Sequence, residues 1–125
     1  PGWLRDPFPP VAMPVARAGP AFIAAGGVFH DAVRARGAAN RARLEALPPG
    51  ARVVSGRYGT GAVLALDGAR TDEEWALALL ERDVIVHPGH FYDLEHEGAI
   101  VLSLIPTTKT FVAGIQRIGE VLSAF

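Results

Sequence analysis

The chain has 125 residues and no cysteine, and its 12 basic and 13 acidic side chains give a net charge of −1. This length suits one domain with its own core, and the balanced charge provides no field that would attract nucleic acid. The missing thiols exclude disulfides and sulfur metal sites, and no apolar run reaches the ~18 residues of a membrane span, so we expect a cytoplasmic protein without a membrane partner.

The first 20 residues carry six of the ten prolines. Proline interrupts helices and removes a hydrogen-bond donor from strands, so this segment is predicted to form neither a continuous helix nor a central strand. Residues 1–25 are therefore interpreted as a proline-rich lead-in or linker, and residues 26–125 as the domain.

Residues 28–47 have helical periodicity, with Gly26-Gly27 marking the start and Pro48-Pro49-Gly50 the end. One face of this helix carries Phe29, Val33, Asn40, Leu44 and Leu47. Two β-type runs follow, at residues 52–55 and 62–66, and the glycine-rich stretch between them predicts a hairpin. Those glycines do not match a phosphate cradle, because no helix follows them directly.

Thr71 and Glu74 have the spacing of a capping box, which predicts a second helix beginning near Asp72. Its predicted apolar stripe consists of Trp75 and Leu79, with Leu77 and Leu80 one face over. The unbroken apolar run at residues 84–86 then predicts a buried strand that stops at His87-Pro88-Gly89.

Residues 100–105 predict a further strand, which Pro106 stops, and Thr107 is placed to cap the last helix. The core-facing stripe of that helix is Phe111, Ile115, Ile118 and Leu122. The order helix, strand, strand, helix, strand, strand, helix predicts an α+β fold: a largely antiparallel four-stranded sheet covered by helices on one face.

This order of elements, together with several short sequence motifs, is similar to the C-terminal small domain of class I/II, fold-type I, pyridoxal-phosphate-dependent aminotransferases. The resemblance covers residues 26–125. It is carried by Ala39-Asn40 and Leu44 in the long helix, the glycine-rich hairpin, the apolar strand that ends in Pro88-Gly89, the aromatic loop after it, the strand at residues 98–104 and a final helix with Phe111, Gly114 and Ile118.

The resemblance implies that the cofactor, pyridoxal phosphate, is bound by a large catalytic domain of the parent enzyme and not by this chain. The small domain then contributes a wall and a lid to the pocket in which an amino acid and a 2-oxo acid undergo transamination. Alone the chain is expected to be inactive, with no catalytic, cofactor-binding or metal-binding residue, and the parent enzyme is expected to be a homodimer.

The substrate-binding residues that the resemblance implies are Gly89, His90, Phe91 and Tyr92 in the Pro-Gly loop, together with Val101. Many members of the family carry at the position of Val101 an arginine that holds the substrate carboxylate with two parallel hydrogen bonds. Valine cannot donate a hydrogen bond, so another basic group must bind the carboxylate or the substrate must differ.

Lys109 is the only lysine, and its place in the first turn of the last helix predicts a solvated surface amine. One cluster suggests a metal site, formed by His87, His90 and His96 with Asp93, Glu95 and Glu97. His87 and His90 straddle a Pro-Gly turn and the acids are typical of a solvated loop, so loop solvation or a substrate-wall role is expected here and no metal. A free-standing α+β ligand-binding or regulatory module remains the alternative function.

Overall fold

The computed structural model describes residues 12–47, 49–54, 59–68 and 70–124. The chain divides into two compact units, Pro1–Asp31 and Ala32–Phe125. In the first unit, α1 spans Met13–Ala25 and contains Pro20 in its interior. The predicted lead-in is thus helical in its second half. Pro14 lies in the first turn, where a missing N–H costs no intrahelical bond, whereas Pro20 removes one bond from the interior of the helix.

Helix α2 spans Gly27–Arg43 and continues as a 3-10 turn over Leu44–Ala46, so the Gly26-Gly27 start is confirmed. Its predicted face is buried only toward the C-terminal end. Asn40 and Leu44 are buried and Val33 is half-buried, but Phe29 is 74% exposed. Periodicity located the helix, and tertiary contacts within Ala32–Phe125 bury the C-terminal part of its stripe.

The sheet has four strands, β1 (Ala51–Val53), β2 (Gly61–Leu66), β3 (His87–Pro88) and β4 (Ala99–Ser103), in the order β1-β2-β4-β3. Every neighbouring pair is antiparallel. The predicted hairpin and the antiparallel α+β fold are confirmed.

The buried strand predicted at residues 84–86 is wrong. Val84 is buried, but Ile85 is 82% exposed, and the pairing with β4 begins only at His87. Asp83 adopts a left-handed conformation with φ of 57°, and the Val84 N–H still donates to the Leu79 carbonyl at the end of the preceding helix. The chain therefore reaches the sheet later than its apolar run suggests, at an edge strand, where a proline is tolerated.

Helix α3 spans Asp72–Leu80 and begins with the predicted capping box: the Thr71 hydroxyl accepts from the Glu74 N–H, and the Glu74 carboxylate accepts from the Thr71 N–H. On α3, Trp75 and Leu79 are buried, whereas Leu77 and Leu80 are about half exposed. Local hydrogen bonds thus set the start of α3, and its position on the sheet decides which face is covered.

Helix α4 spans Thr108–Ser123, and the Thr107 hydroxyl caps it by accepting from the Thr110 N–H. Alternate residues of the two central strands join the helices in one core, which includes Leu64 of β2 and Ile100 of β4. The helix side chains of this core are Leu44, Trp75, Leu79, Phe111, Ile118 and Val121. No helix in the described ranges combines the length and the apolar character needed to cross a membrane.

Candidate functional site

A row of three side chains crosses the sheet on the face turned away from the core. Val63 of β2 pairs with Val101 of β4, and Val101 pairs in turn with His87 of β3. Directly opposed residues of antiparallel strands project to the same side. Because Ile100 and Leu102 face the core, this row lies on the opposite face, with both valines half-buried and His87 exposed. We call these three residues the outer row.

The loop after β3 folds back onto the outer row. Gly89–Tyr92 form a short 3-10 turn, which brings Tyr92 beside His87. The Tyr92 hydroxyl lies 2.6 Å from the His87 Nδ1, and the two rings stack with an interplanar angle of 15°. Phe91 is 68% exposed, and its ring centroid lies 6.3 Å from that of His87. The result is an exposed aromatic cluster next to Val101.

Gly89 has a structural reason to be glycine. A Cβ at this position would lie 2.8 Å from the Ala99 Cβ and 2.9 Å from the Ala99 carbonyl oxygen, closer than real Cβ atoms approach such atoms. Gly89 is buried, so its close approach is to strand β4. This packing explains the glycine without a ligand, and its predicted contact with substrate stays a prediction.

His90 points away from the outer row and binds the start of α3. Its backbone N–H donates to the Asp72 carboxylate over 2.7 Å, and its Nδ1 lies 2.8 Å from the same oxygen. Burial alone raises the pKa of Asp72, but the hydrogen bonds from His90 and from the Asp72 N–H lower it, and the net pKa lies below the ordinary value. These contacts tie the loop to α3, and the Phe91 ring stands edge-on to His90 at 4.9 Å.

The five predicted substrate residues therefore divide by position. Phe91 and Tyr92 lie against His87, the strand partner of Val101, while Gly89 packs on Ala99 and His90 anchors the loop to Asp72. From the sequence, His87 belonged to a cluster with metal-ligand, solvated-loop and substrate-wall interpretations; its place opposite Val101 depends on strand register, which the sequence does not show. Within the described ranges, no group of three or more His, Asp or Glu side chains lies close enough to hold a metal ion.

The described residues do not fit a site for pyridoxal phosphate. Lys109 is exposed in the first turn of α4, where its amine is surrounded by solvent. Gly59 lies in the turn before β2 and Gly61 is the first residue of β2, and neither leads into a helix, so they form no phosphate cradle of the helix N-terminal type. Arg57 and Tyr58 of that turn fall outside the described residues.

Two grooves lie elsewhere on the second unit. One of about 400 Å³ is lined by Arg70, by residues of α3 and the turn after it, and by Val121 of α4; one of about 320 Å³ is lined by residues 84–86 and parts of β4 and α4. None of the five predicted substrate residues lines either groove. The five residues therefore lie outside both of these grooves.

Comparison with solved structures gives two informative matches. A probable N-succinyldiaminopimelate aminotransferase from Thermus thermophilus superposes with a TM-score of 0.58 at 21% identity over 71% of this chain. The structure of MppP soaked with the product 2-ketoarginine superposes with a TM-score of 0.65 at 20% identity over 79%. The chain spans only 23% and 30% of those two proteins.

Neither protein-family models nor the sequences of curated proteins match this chain. The structural matches fall on the C-terminal part of the two solved proteins and cover most of the chain. At identities near 20% they show the fold alone. The small-domain fold that the sequence resemblance implied is confirmed.

Proposed function

We propose, from the fold that it shares with the C-terminal part of fold-type I pyridoxal-phosphate-dependent aminotransferases, that this chain is the small domain of such an enzyme. In this proposal it forms a wall and a lid of the pocket for an amino acid and a 2-oxo acid. The large domain of the parent enzyme supplies the coenzyme site and the reactive lysine. The fold match is the observation that supports the assignment as a small domain. The reaction is a proposal in its own right, because a fold by itself does not specify a reaction.

The outer face supports the role of a pocket wall. It presents Phe91 and Tyr92 on the anchored loop, next to His87 of β3 and its strand partner Val101 of β4. The Asp72–His90 contacts join this loop to α3, so the wall would move as one body with the sheet when the lid closes. Such a closure excludes water and strengthens the polar contacts inside the pocket.

Exposed apolar side chains on the N-terminal helices support association with another domain. Large hydrophobic residues that lie more than half exposed here are Met13, Val15, Phe22, Ile23, Val28 and Phe29. Exposed apolar patches of this kind mark contact surfaces in soluble proteins. We assign this surface to the large domain of the parent enzyme, which we propose to be a cytoplasmic homodimer.

The test compares the isolated chain with the full-length polypeptide that carries it. Mixed with pyridoxal phosphate, the isolated chain should show neither the visible absorbance of a lysine aldimine nor transaminase activity, and Lys109→Ala should behave identically. The full-length polypeptide should show both. An isolated chain that turns yellow, and loses the colour in Lys109→Ala, would contradict the proposal.

A thermal-shift screen of the isolated chain with amino acids and 2-oxo acids separates the two function classes. Little stabilisation is expected from any of them, because a single wall without its opposite side binds weakly. Strong stabilisation by one ligand would instead identify a free-standing binding module, since a ligand stabilises a protein in proportion to the logarithm of its concentration over Kd.

A further inference from the structure

We propose that His87, oriented by Tyr92, binds the carboxylate of the substrate, and that Val63 and Val101 contact the apolar carbons next to it. The inference rests on the proposed function and adds the residue that selects the substrate. His87 is the polar member of the outer row, and it pairs directly with Val101 across β3 and β4. Side-chain Cβ atoms in such a pair lie about 4.5–5.5 Å apart, so a group that binds His87 also touches the valine.

The contact with Tyr92 determines which nitrogen of His87 is available. The Tyr92 hydroxyl lies 2.6 Å from Nδ1, and the stacked rings hold this arrangement. With the ring proton on Nε2, the hydroxyl donates to Nδ1; with the proton on Nδ1, the imidazole donates to the hydroxyl oxygen. In either arrangement Nδ1 is engaged by Tyr92, and Nε2 is the ring nitrogen that faces a ligand on the exposed His87. A bound carboxylate selects the states in which Nε2 carries a proton and donates it in a hydrogen bond.

The surroundings favour a carboxylate with an apolar skeleton. Asp72 is occupied by two hydrogen bonds from His90, and the Phe91 ring lies between the two imidazoles at 6.3 and 4.9 Å. One imidazole donor provides a single hydrogen bond, unlike the paired donors of a guanidinium. A second charged group placed over the valines would lose its hydration without gaining a partner. The outer row therefore selects small acids with apolar side chains.

The experiment uses the full-length polypeptide with pyridoxal phosphate and a branched-chain 2-oxo acid. His87→Ala should raise the KM for that acid about tenfold to a hundredfold and should leave kcat nearly unchanged. This fold-change corresponds to the loss of one hydrogen bond to a charged group. His87→Gln should recover most of the affinity, because its amide N–H can occupy the place of Nε2. His96→Ala, a histidine in the following loop that is also exposed, is the matched control and should leave KM unchanged.

A pair of inhibitors distinguishes charge recognition from packing. The inhibition constant of isobutyrate should rise in His87→Ala, and that of the neutral isobutyramide should stay the same. An equal rise for both inhibitors, or a KM no different from that of His96→Ala, would overturn the inference.

If His87→Ala does not fold, Tyr92→Phe provides the test, because it removes only one oxygen atom from an exposed ring. An unchanged KM in Tyr92→Phe would refute the role of the His87–Tyr92 pair. A full-length polypeptide without coenzyme absorbance or activity would refute the proposed function itself, and this inference with it.

Discussion

Asn40 is expected to hold α2 on the sheet through two hydrogen bonds. Its side chain is fully buried, and its Nδ2 donates over 2.9 Å to the carbonyl oxygens of both Leu104 and Pro106. These carbonyls lie in the segment that joins β4 to α4. The Asn40 Oδ1 is buried without a hydrogen-bond partner among the described residues, so the contribution of this side chain lies in its two donors.

The magnitude follows from those two bonds. Asn40→Ala removes both donors and leaves two carbonyls short of a partner, at about 0.5–1.5 kcal/mol for each bond and more where the orphaned oxygen stays dry. Together with the small cavity, the free energy of unfolding should fall by about 2–4 kcal/mol. This is a large fraction of the stability of an ordinary domain.

Asn40→Asp should be sensitive to pH in a way that Asn40→Ala is not. Burial opposite two carbonyl oxygens raises the pKa of the introduced carboxyl in the folded state, since only its protonated form can donate a hydrogen bond there. The folded state then binds more protons than the unfolded state above the ordinary carboxyl pKa. Stability should therefore fall with rising pH by about 1.4 kcal/mol per pH unit until the raised pKa is reached.

Urea unfolding followed by far-UV circular dichroism at pH 5 and pH 7 measures the effect. Between these two pH values Asn40→Asp should lose up to about 2.7 kcal/mol more than the wild type, and Asn40→Ala should lose nothing further. The control is Gln116→Glu, the same amide-to-acid change at an exposed position of α4, which should shift stability by less than about 0.5 kcal/mol. A pH-independent Asn40→Asp, or an Asn40→Ala that costs less than about 1 kcal/mol, would refute this account of the contact.

Two further predictions concern the loop and its anchor. Gly89→Ala should destabilise the chain by about 1–3 kcal/mol in the same urea assay, because its Cβ would meet Ala99 at 2.8 Å, whereas Gly114→Ala on α4, with nothing within 4 Å, should be neutral or stabilising. Equal effects of the two changes would remove the packing explanation for Gly89. The lowered pKa of Asp72 means that its hydrogen bonds with His90 stabilise the fold above the ordinary carboxyl pKa and are lost as pH falls through the lowered value. Wild type should thus be more stable than Asp72→Asn at pH 6, with the difference shrinking toward pH 3, and a constant difference across that range would contradict the assignment.

Elements with a local cause could be predicted well from the sequence. The capping box at Thr71 and Glu74 and the Thr107 cap each satisfy backbone N–H groups within one turn, so residues close in sequence suffice to begin α3 and α4. The hairpin between β1 and β2 likewise follows from a glycine-rich turn flanked by β-type runs. The two caps act within one helical turn, and the hairpin pairs two strands that follow each other in the chain.

Predictions failed where the deciding contact is distant in sequence. Residues 84–86 have the composition of a buried strand, but the end of α3 determines where the chain meets β4, and Ile85 stays exposed. Phe29 repeats with the helical period, yet its side chain is largely exposed. Periodicity predicts which residues share a face of the helix, but it does not predict which part of that face is buried by tertiary contacts.

The candidate site shows the same division. The resemblance of the sequence to the aminotransferase small domain named the Pro-Gly loop, the aromatic pair after it and the valine in β4 as candidate residues, and their contact with substrate stays a prediction. Only the tertiary structure set His87 opposite Val101, turned His90 to Asp72 and packed Gly89 on Ala99. Strand register is chosen by the total packing of two distant segments, and a shift of one residue would exchange the two faces of the strand, so no local pattern could have determined it.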